Sequence, residues 1–377
     1  MEGFDLAALQ GMTTAEMNPV MHEGTPRGHM PQLDGLRALA ALAVVYSHWL
    51  PAKYQLGLPW GSMGVQLFFV ISGFLITGIL LQCRSHGDPI HSLKAFYARR
   101  ALRIFPLYYA VLLLTFILDV KGVREMALSH AAYLSNINMF LRGDWNGFTS
   151  HFWTLAVEEQ FYLVWPPILL LIPTRRILSM VWLIILIGVG SMFLLPILVP
   201  GNKLTHIFPT SNLAALGAGA LLALARTGTV PTFAARCLWG TPIFLLVAFL
   251  RMLGFEGAAL RPLKDLSFIA FATWLVGMAS RGFTGRFGTF LASPPLTYLG
   301  RISYGIYILH HLMTPAVGAM GHWANIPWLH HGLRMYLAKA ALTFTAASLS
   351  WRFFESPLIG LKRHFPYTLK GPDKPSA

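Results

Sequence analysis

Long apolar runs dominate the pattern of hydrophobic and polar positions along this chain. Four of them, 68–81, 104–118, 177–199 and 268–279, contain no charged residue. The hydrocarbon core of a bilayer is about 30 Å thick, and a helix needs about 20 residues to cross it. The pattern therefore predicts an all-α fold, a polytopic helical bundle embedded in a membrane.

The apolar segments predict about ten transmembrane helices. Their approximate bounds are 36–52, 62–82, 103–119, 152–172, 177–198, 208–226, 237–254, 265–281, 300–317 and 333–352. One further segment, 127–141, is apolar but short and carries His130, Asn136 and Asn138. It is either an eleventh span or a re-entrant or interfacial piece.

Composition supports the membrane interpretation. Of the 377 residues, 55% are hydrophobic and 12% are charged, whereas a soluble domain carries about 25% charged residues. So few charges cannot cover a water-facing surface of this size, which excludes a soluble domain and a disulfide scaffold. The net charge of +14 would suggest nucleic acid in a soluble protein. In a membrane protein it reports topology, so we expect no nucleic-acid partner.

The basic residues decide between ten and eleven spans. With ten spans and a cytoplasmic N-terminus, 19 of the 29 Lys and Arg residues fall on the inner side, whereas an eleventh span leaves 14. Cytoplasmic loops are enriched in Lys and Arg. We therefore expect ten spans, both termini in the cytoplasm and 127–141 on the outer side. The expected organisation is a mobile cytoplasmic tail (1–30), a membrane domain (31–355) and a basic cytoplasmic tail (356–377).

The first span carries Arg37 and His48, which are 11 residues apart. That spacing is close to three helical turns, so both lie on one helix face, about 16 Å apart. A histidine titrates near neutrality, which suits general-base catalysis. The alternative is that Arg37 is an inner-side anchor and His48 an interfacial residue.

The fourth span opens with two adjacent carboxylates. Glu158 and Tyr162 are at i and i+4 and share a face, and Glu159 points elsewhere. A capping role explains Glu158 poorly, because it lies about two turns into a span that begins near residue 151. Ionisable groups inside a membrane are costly and usually functional, so Glu158 is a candidate site residue.

Polar residues in the ninth span lie on one face: Ser303, Tyr307 and His310 at i, i+4 and i+7. His310 falls near the middle of the membrane, where it is either functional or a helix–helix hydrogen bond.

Three arginines, Arg99, Arg100 and Arg103, precede the third span on its cytoplasmic side. Anchoring needs one or two, and Arg100 and Arg103 at i and i+3 could clamp phosphates bidentately. A phosphate-rich cytosolic donor or anionic lipid headgroups would fit. The sequence has no P-loop, no dinucleotide-binding glycine motif, no HExxH and no metal-spaced set of Cys and His, so we expect no metal.

Six segments taken together resemble the acyltransferase 3 family of bacterial membrane O-acyltransferases. They are Arg37-x10-His48, GVQLFFVISGFLI at 64–76, Arg100-x-x-Arg103, WTLAVEEQFY at 153–162, SYGIYILH at 303–310 and FESP at 354–357. The resemblance covers about residues 31–363. It departs at Gln66, where the family usually has an acid, and near Asn212, where an Arg and an Asp are often present.

The resemblance implies an O-acyltransferase of the bacterial inner membrane. It would move an acyl group, usually acetyl, from cytosolic acyl-CoA to a hydroxyl of a cell-surface or secreted carbohydrate or a lipid-linked sugar. Catalytic candidates are His48, Glu158, Arg37 and His310. His48 would act as general base or carry the acyl group briefly, and Glu158 would orient it or balance its charge. The donor would bind Arg37, Arg99, Arg100 and Arg103.

Three other functions fit the same residues. One is an O-acyltransferase for a small secondary metabolite. A second is a transporter or flippase for a lipid-linked sugar, with Arg37, His48 and Glu158 lining its path. The third is a non-catalytic membrane scaffold. The oligomeric state stays open.

Overall fold

Every regular element of the described chain is helical. The computed structural model describes residues 29–85, 88–145, 147–225, 236–255, 260–326 and 332–367. The helices are α1 (Pro31–Trp49), α2 (Trp60–Arg84), α3 (Pro89–Ile117), α4 (Ala127–Ala131), α5 (Ser135–Arg142), α6 (Trp153–Leu171), α7 (Thr174–Leu198), α8 (Leu213–Leu224), α9 (Gly240–Met252), α10 (Leu260–Arg281), α11 (Gly285–Leu291), α12 (Pro294–Arg301), α13 (Ser303–Leu309), α14 (Met313–Trp323), α15 (Gly332–Ser350) and α16 (Ser356–Gly360).

The all-α membrane character predicted from the apolar runs is confirmed in its coarse form. Among the described residues, α2, α3, α7 and α10 are long and apolar enough to cross a membrane. Two shorter apolar helices, α8 and α9, also lie within predicted spans. The count of ten spans and the cytoplasmic placement of both termini stay predictions, and the tail segments 1–28 and 368–377 lie outside the described residues.

The ambiguous segment 127–141 forms two short helices. They are α4, with five residues, and α5, with eight. Tyr133 has a positive φ of 53° between them, and Gly143 ends α5 with a φ of 69°. Neither helix approaches the length that a bilayer requires, so the segment is not a single spanning helix.

The expectation of one continuous helix over 300–317 is wrong. The chain forms α12, α13 and α14 there, with breaks at Ile302 and at 310–312. Pro315 contributes to the second break, because a proline cannot donate the helical hydrogen bond to His311 and its ring clashes with that carbonyl. At the same break, Trp49 Nε1 donates to the His310 carbonyl oxygen at 3.1 Å. A tertiary hydrogen bond thus replaces a helical one.

Helix α2 lies at the centre of the bundle, against α1, α6, α8 and α10. Its middle residues Phe69, Val70 and Ile71 are at most 2% exposed. It approaches α8 closely because glycines face each helix. A Cβ on Gly73 would lie 2.0 Å from the Leu216 carbonyl oxygen, and one on Gly219 would lie 2.1 Å from the Val70 carbonyl oxygen. Small residues allow this spacing between membrane helices.

Exchanging Gly73 for alanine is therefore expected to destabilise the protein. The added methyl group would meet backbone, which cannot rotate away, and overpacking of this kind costs about 1–3 kcal/mol. The matched control is Gly190→Ala in α7, where a Cβ would meet nothing within 4 Å. We expect the midpoint of thermal unfolding in detergent to fall in Gly73→Ala and to stay unchanged in Gly190→Ala. Equal midpoints for the two variants would contradict this packing.

Candidate active site

A cavity of about 310 Å³ lies between α1, α2, α3, α6, α13 and the segment after α16. Its walls are apolar apart from one strongly charged region. Five cationic side chains and two carboxylates line it: Arg37, Arg99, Arg100, Arg103, Lys362, Glu158 and Glu159. All four arginines predicted as donor ligands, and the predicted Glu158, therefore lie in one cavity. The excess of cations favours binding of an anion over binding of a cation.

The start of α3 fixes where its arginines lie. The Asp88 side chain accepts hydrogen bonds from the backbone N–H groups of Ile90 and His91, both at 3.0 Å, and Pro89 occupies the first helical position. Both features favour a helix that begins here. Arg99, Arg100 and Arg103 follow about three turns later, spaced so that all three reach the cavity.

The three arginines have different surroundings. Arg99 donates from Nη1 to the carbonyl oxygens of Lys362 and Phe365, at 3.0 and 3.1 Å, so it also anchors the C-terminal segment. The Arg100 guanidinium lies over the rings of Phe96 and Tyr162, at 5.6 and 5.4 Å. Within the described chain, neither Arg100 nor Arg103 has an ion pair within 4.0 Å.

The two carboxylates of α6 both face the cavity. Glu158 contacts the hydroxyls of Ser72 and Tyr162, which also contact each other. Arg37 and Arg100 act on it electrostatically. The expectation that Glu159 points elsewhere is wrong, because Glu159 also lines the cavity. Adjacent helical residues differ by 100°, and the cavity is wide enough to meet both positions.

A cluster of four histidines lies beside the cavity: His48, His151, His310 and His311. The ring of His48 is 5.0 Å from those of His310 and His311, and the ring of His151 is 4.9 Å from that of His310. They come from the end of α1, the 3-10 turn Gly147–Phe152 and the break after α13. Sequence reasoning selected His48 and His310 and missed the other two.

The histidines of the cluster differ in exposure. His48 is exposed, whereas His151 is 2% exposed and His310 has no exposed surface. His48 Nδ1 and His310 Nε2 are 2.9 Å apart. His48 is therefore the outermost member of the cluster, and His310 lies behind it.

Tyr307 separates the cavity from the cluster. It lines the cavity, and its ring lies 5.6 Å from that of His151 and 5.7 Å from that of His310. Its hydroxyl contacts Thr154 Oγ1 at 2.5 Å and donates to the His151 carbonyl oxygen at 3.0 Å. Arg37 and His48 share α1 as predicted, but only Arg37 lines the cavity. The predicted site residues thus form two adjacent groups.

The segment after α16 completes the cavity. Its residues Lys362 and Tyr367 line the wall, and sequence reasoning missed both. The Tyr367 ring lies 4.7 Å from the Arg99 guanidinium. Burial and the neighbouring Arg103, Arg100 and Arg99 lower the pKa of Lys362 to about 7. This lysine is therefore partly uncharged at neutral pH.

Across the residues that the structure describes, no three Cys, His, Asp or Glu side chains are arranged to hold a metal ion.

Comparison with known proteins gives one family and a set of relatives. The model of the acyltransferase domain of the acyltransferase 3 family matches residues 30–352. The chain is 29% identical to the O-acetyltransferase OatA of Staphylococcus aureus (strain NCTC 8325 / PS 47), over 92% of this chain and 60% of that protein. It is 29% identical to the peptidoglycan O-acetyltransferase OatA of Listeria monocytogenes, over 88% and 56%.

A third relative is the putative peptidoglycan O-acetyltransferase YrhL of Bacillus subtilis. It is 29% identical over 89% of this chain and 56% of its own length. The chain thus spans less than two thirds of the length of these curated relatives. No solved structure matches the chain.

Proposed function

The chain belongs to the acyltransferase 3 family, and on that premise we propose that it is a membrane O-acetyltransferase of the bacterial cytoplasmic membrane. It moves an acetyl group from cytosolic acetyl-CoA to a hydroxyl of a cell-wall carbohydrate. The observation that carries this proposal is the adjacency of a cationic cavity and a histidine cluster across one tyrosine, Tyr307.

The cavity fits the donor by charge. Coenzyme A carries a pyrophosphate and a ribose phosphate, and guanidinium groups bind phosphates bidentately with well-defined geometry. Arg37, Arg100 and Arg103 supply guanidinium groups at the cavity wall. Glu158 lies among them rather than beside His48, so the role that fits it is to balance their charge and orient them. Arg99 positions the C-terminal segment that closes the wall.

The histidine cluster fits the acceptor. His48 is the exposed member and would take the proton from the acceptor hydroxyl, within reach of a histidine base. The acceptor oxygen then attacks the thioester carbonyl carbon, the C–S bond breaks, and the coenzyme A thiolate leaves and takes up a proton. His48 could instead carry the acetyl group briefly. His310 supports His48 from behind.

Peptidoglycan is the acceptor that the relatives favour, because two of the three carry it in their names. The test uses the full chain in lipid nanodiscs with acetyl-CoA labelled in its acetyl group and solubilised peptidoglycan glycan strands. We expect labelled, base-labile acetyl esters on the strands by mass spectrometry. Release of coenzyme A without labelled strands would exclude this acceptor. Movement of a lipid-linked sugar across proteoliposomes without acetyl-CoA would support a transporter instead.

Donor binding should depend on the charge of Lys362. Its pKa of about 7 is lowered in the free protein, so the lysine is charged below pH 7 and loses its charge as pH rises through 7. An anion in the cavity favours the charged form. Between pH 6 and pH 8.5 we therefore expect the affinity for acetyl-CoA to fall by up to about tenfold, the equivalent of 1.4 kcal/mol.

The control is Lys362→Arg, which stays charged over this range. Isothermal titration measures the affinity of both proteins for acetyl-CoA at each pH. Titration of the ligand phosphates affects both proteins equally, so the difference between their pH dependences reports the protonation of Lys362. The same pH dependence in wild type and Lys362→Arg would contradict the assignment.

A further inference from the structure

We propose that His310 fixes the tautomer of His48, so that Nε2 of His48 is the nitrogen presented as the base. The inference deepens the proposed function, because it names the positioning residue behind the acceptor-side histidine. It follows from a chain of three polar groups, Tyr307 carbonyl, His310 and His48, joined by two hydrogen bonds.

The first link sets the proton on His310. His310 Nδ1 lies 2.6 Å from the Tyr307 carbonyl oxygen. A carbonyl oxygen only accepts hydrogen bonds, so Nδ1 of His310 carries the proton.

The second link sets the direction of the bond to His48. A second proton on His310 Nε2 would create a charged ring in a residue with no exposed surface, and burying an unpaired charge is costly. The rings around it are those of Tyr307, His48, His151 and His311, and none of these is a carboxylate that could pair with it. His310 Nε2 therefore accepts, and His48 Nδ1 donates across 2.9 Å.

The third step places the base. With its proton on Nδ1, the His48 ring has its lone pair on Nε2. In the part of the chain that the structure describes, Nε2 of His48 has no hydrogen-bond partner and the residue is exposed. When Nε2 takes a proton, the ring becomes an imidazolium, and the bond from Nδ1 to His310 stabilises it. In a hydrolase triad, a carboxylate holds the catalytic histidine in one tautomer and stabilises its charged form. His310 has the same role here, with a neutral ring in place of the carboxylate.

Two substitutions of similar size separate this role from simple packing. In His310→Gln the amide oxygen takes the place of Nε2 and can still accept from His48. In His310→Asn the amide nitrogen takes the place of Nδ1 and can still donate to Tyr307, but nothing reaches His48.

We expect kcat for acetyl transfer to fall by about 10²-fold in His310→Asn, of the order that loss of a positioned base costs. In His310→Gln the fall should be within tenfold, and KM should not change in either variant. A kcat that is equal in both variants, or a loss confined to KM, would overturn the proposal.

A second measurement needs no turnover. The protein is labelled with 15N in its histidine rings, and the His48 signals are assigned by their absence in His48→Asn. We expect the wild type to show a protonated Nδ1 and a bare Nε2 on His48, and His310→Asn to show a mixture of tautomers.

A proton on Nε2 of His48 in the wild type would overturn the inference even if transfer is efficient. If the expected tautomer is present but no acetyl transfer occurs, the proposed function fails and the tautomer assignment stands.

Discussion

Exchanging His48 for asparagine is expected to lower kcat for acetyl transfer by about 10²- to 10⁴-fold, the contribution of a positioned general base. The asparagine amide nitrogen takes the place of His48 Nδ1 and can still donate to His310 Nε2, which lies 2.9 Å away in the wild type. The buried part of the cluster is therefore kept, and the Nε2 atom is lost. The affinity for acetyl-CoA should not change, because His48 does not line the cavity.

The matched control is His311→Asn. The ring of His311 lies as close to His48 as that of His310 does, at 5.0 Å, but its Nδ1 donates to the Phe148 carbonyl oxygen at 2.8 Å. Asparagine can keep that bond, so we expect a change in kcat below tenfold. Steady-state transfer assays on nanodisc samples with equal amounts of folded protein make the comparison. Full activity in His48→Asn would rule out His48 as base or acyl carrier.

Helical periodicity explains why one part of the site could be predicted from sequence. Arg100 and Arg103 are at i and i+3 within one helix, and Arg37 lies on a helix that packs beside the central α2. Such residues keep their spacing whatever the tertiary fold does. The third span is preceded by more arginines than membrane anchoring needs, which indicated a binding role. The structure places these arginines in one cavity.

Tertiary contacts explain what the sequence could not show. His311 lies beside His48 at the break after α13, where the structure also places Pro315 and the Trp49 hydrogen bond. Lys362 reaches the cavity because Arg99 binds the backbone of the chain beyond α16. Helical periodicity in the sequence indicates neither of these two contacts. His151 lies two residues before the motif at 153–162, and that position near the motif was the one available hint.

In the proposed function, the site divides two chemical tasks between two neighbouring groups of residues. The cationic cavity would bind the phosphorylated donor, and the histidine cluster would supply the base for the acceptor hydroxyl. Tyr307, with Thr154, forms the boundary between them. A thioester bound by the arginines must extend past Tyr307 to meet an acceptor at His48. Substitutions in the cavity should therefore lower the affinity for acetyl-CoA, and substitutions in the histidine cluster should lower kcat.

Exchanging Arg100 and Arg103 together for glutamine is expected to weaken acetyl-CoA binding by about 10²- to 10⁴-fold. Hydrogen bonds to charged groups contribute about 1.5–3 kcal/mol each, and two of them sum to that range at 1.4 kcal/mol per tenfold. Both guanidinium groups line the cavity, and neither has an ion pair within 4.0 Å in the described ranges. They are therefore available to phosphates. The KM for glycan strands should change by less than threefold at saturating donor, since in the proposed function the acceptor binds at the histidine cluster.

The control removes the same charge from the same predicted side of the membrane. Arg175→Gln with Arg176→Gln alters two exposed residues at the start of α7, outside the cavity. Isothermal titration with coenzyme A compares the two double variants with wild type, and thermal unfolding in detergent verifies that the cavity variant is folded. If the arginines acted only through net charge or through anionic lipid headgroups, both double variants would lose affinity equally. A loss confined to Arg100→Gln with Arg103→Gln assigns the donor phosphates to the cavity, because the control differs from it in position alone.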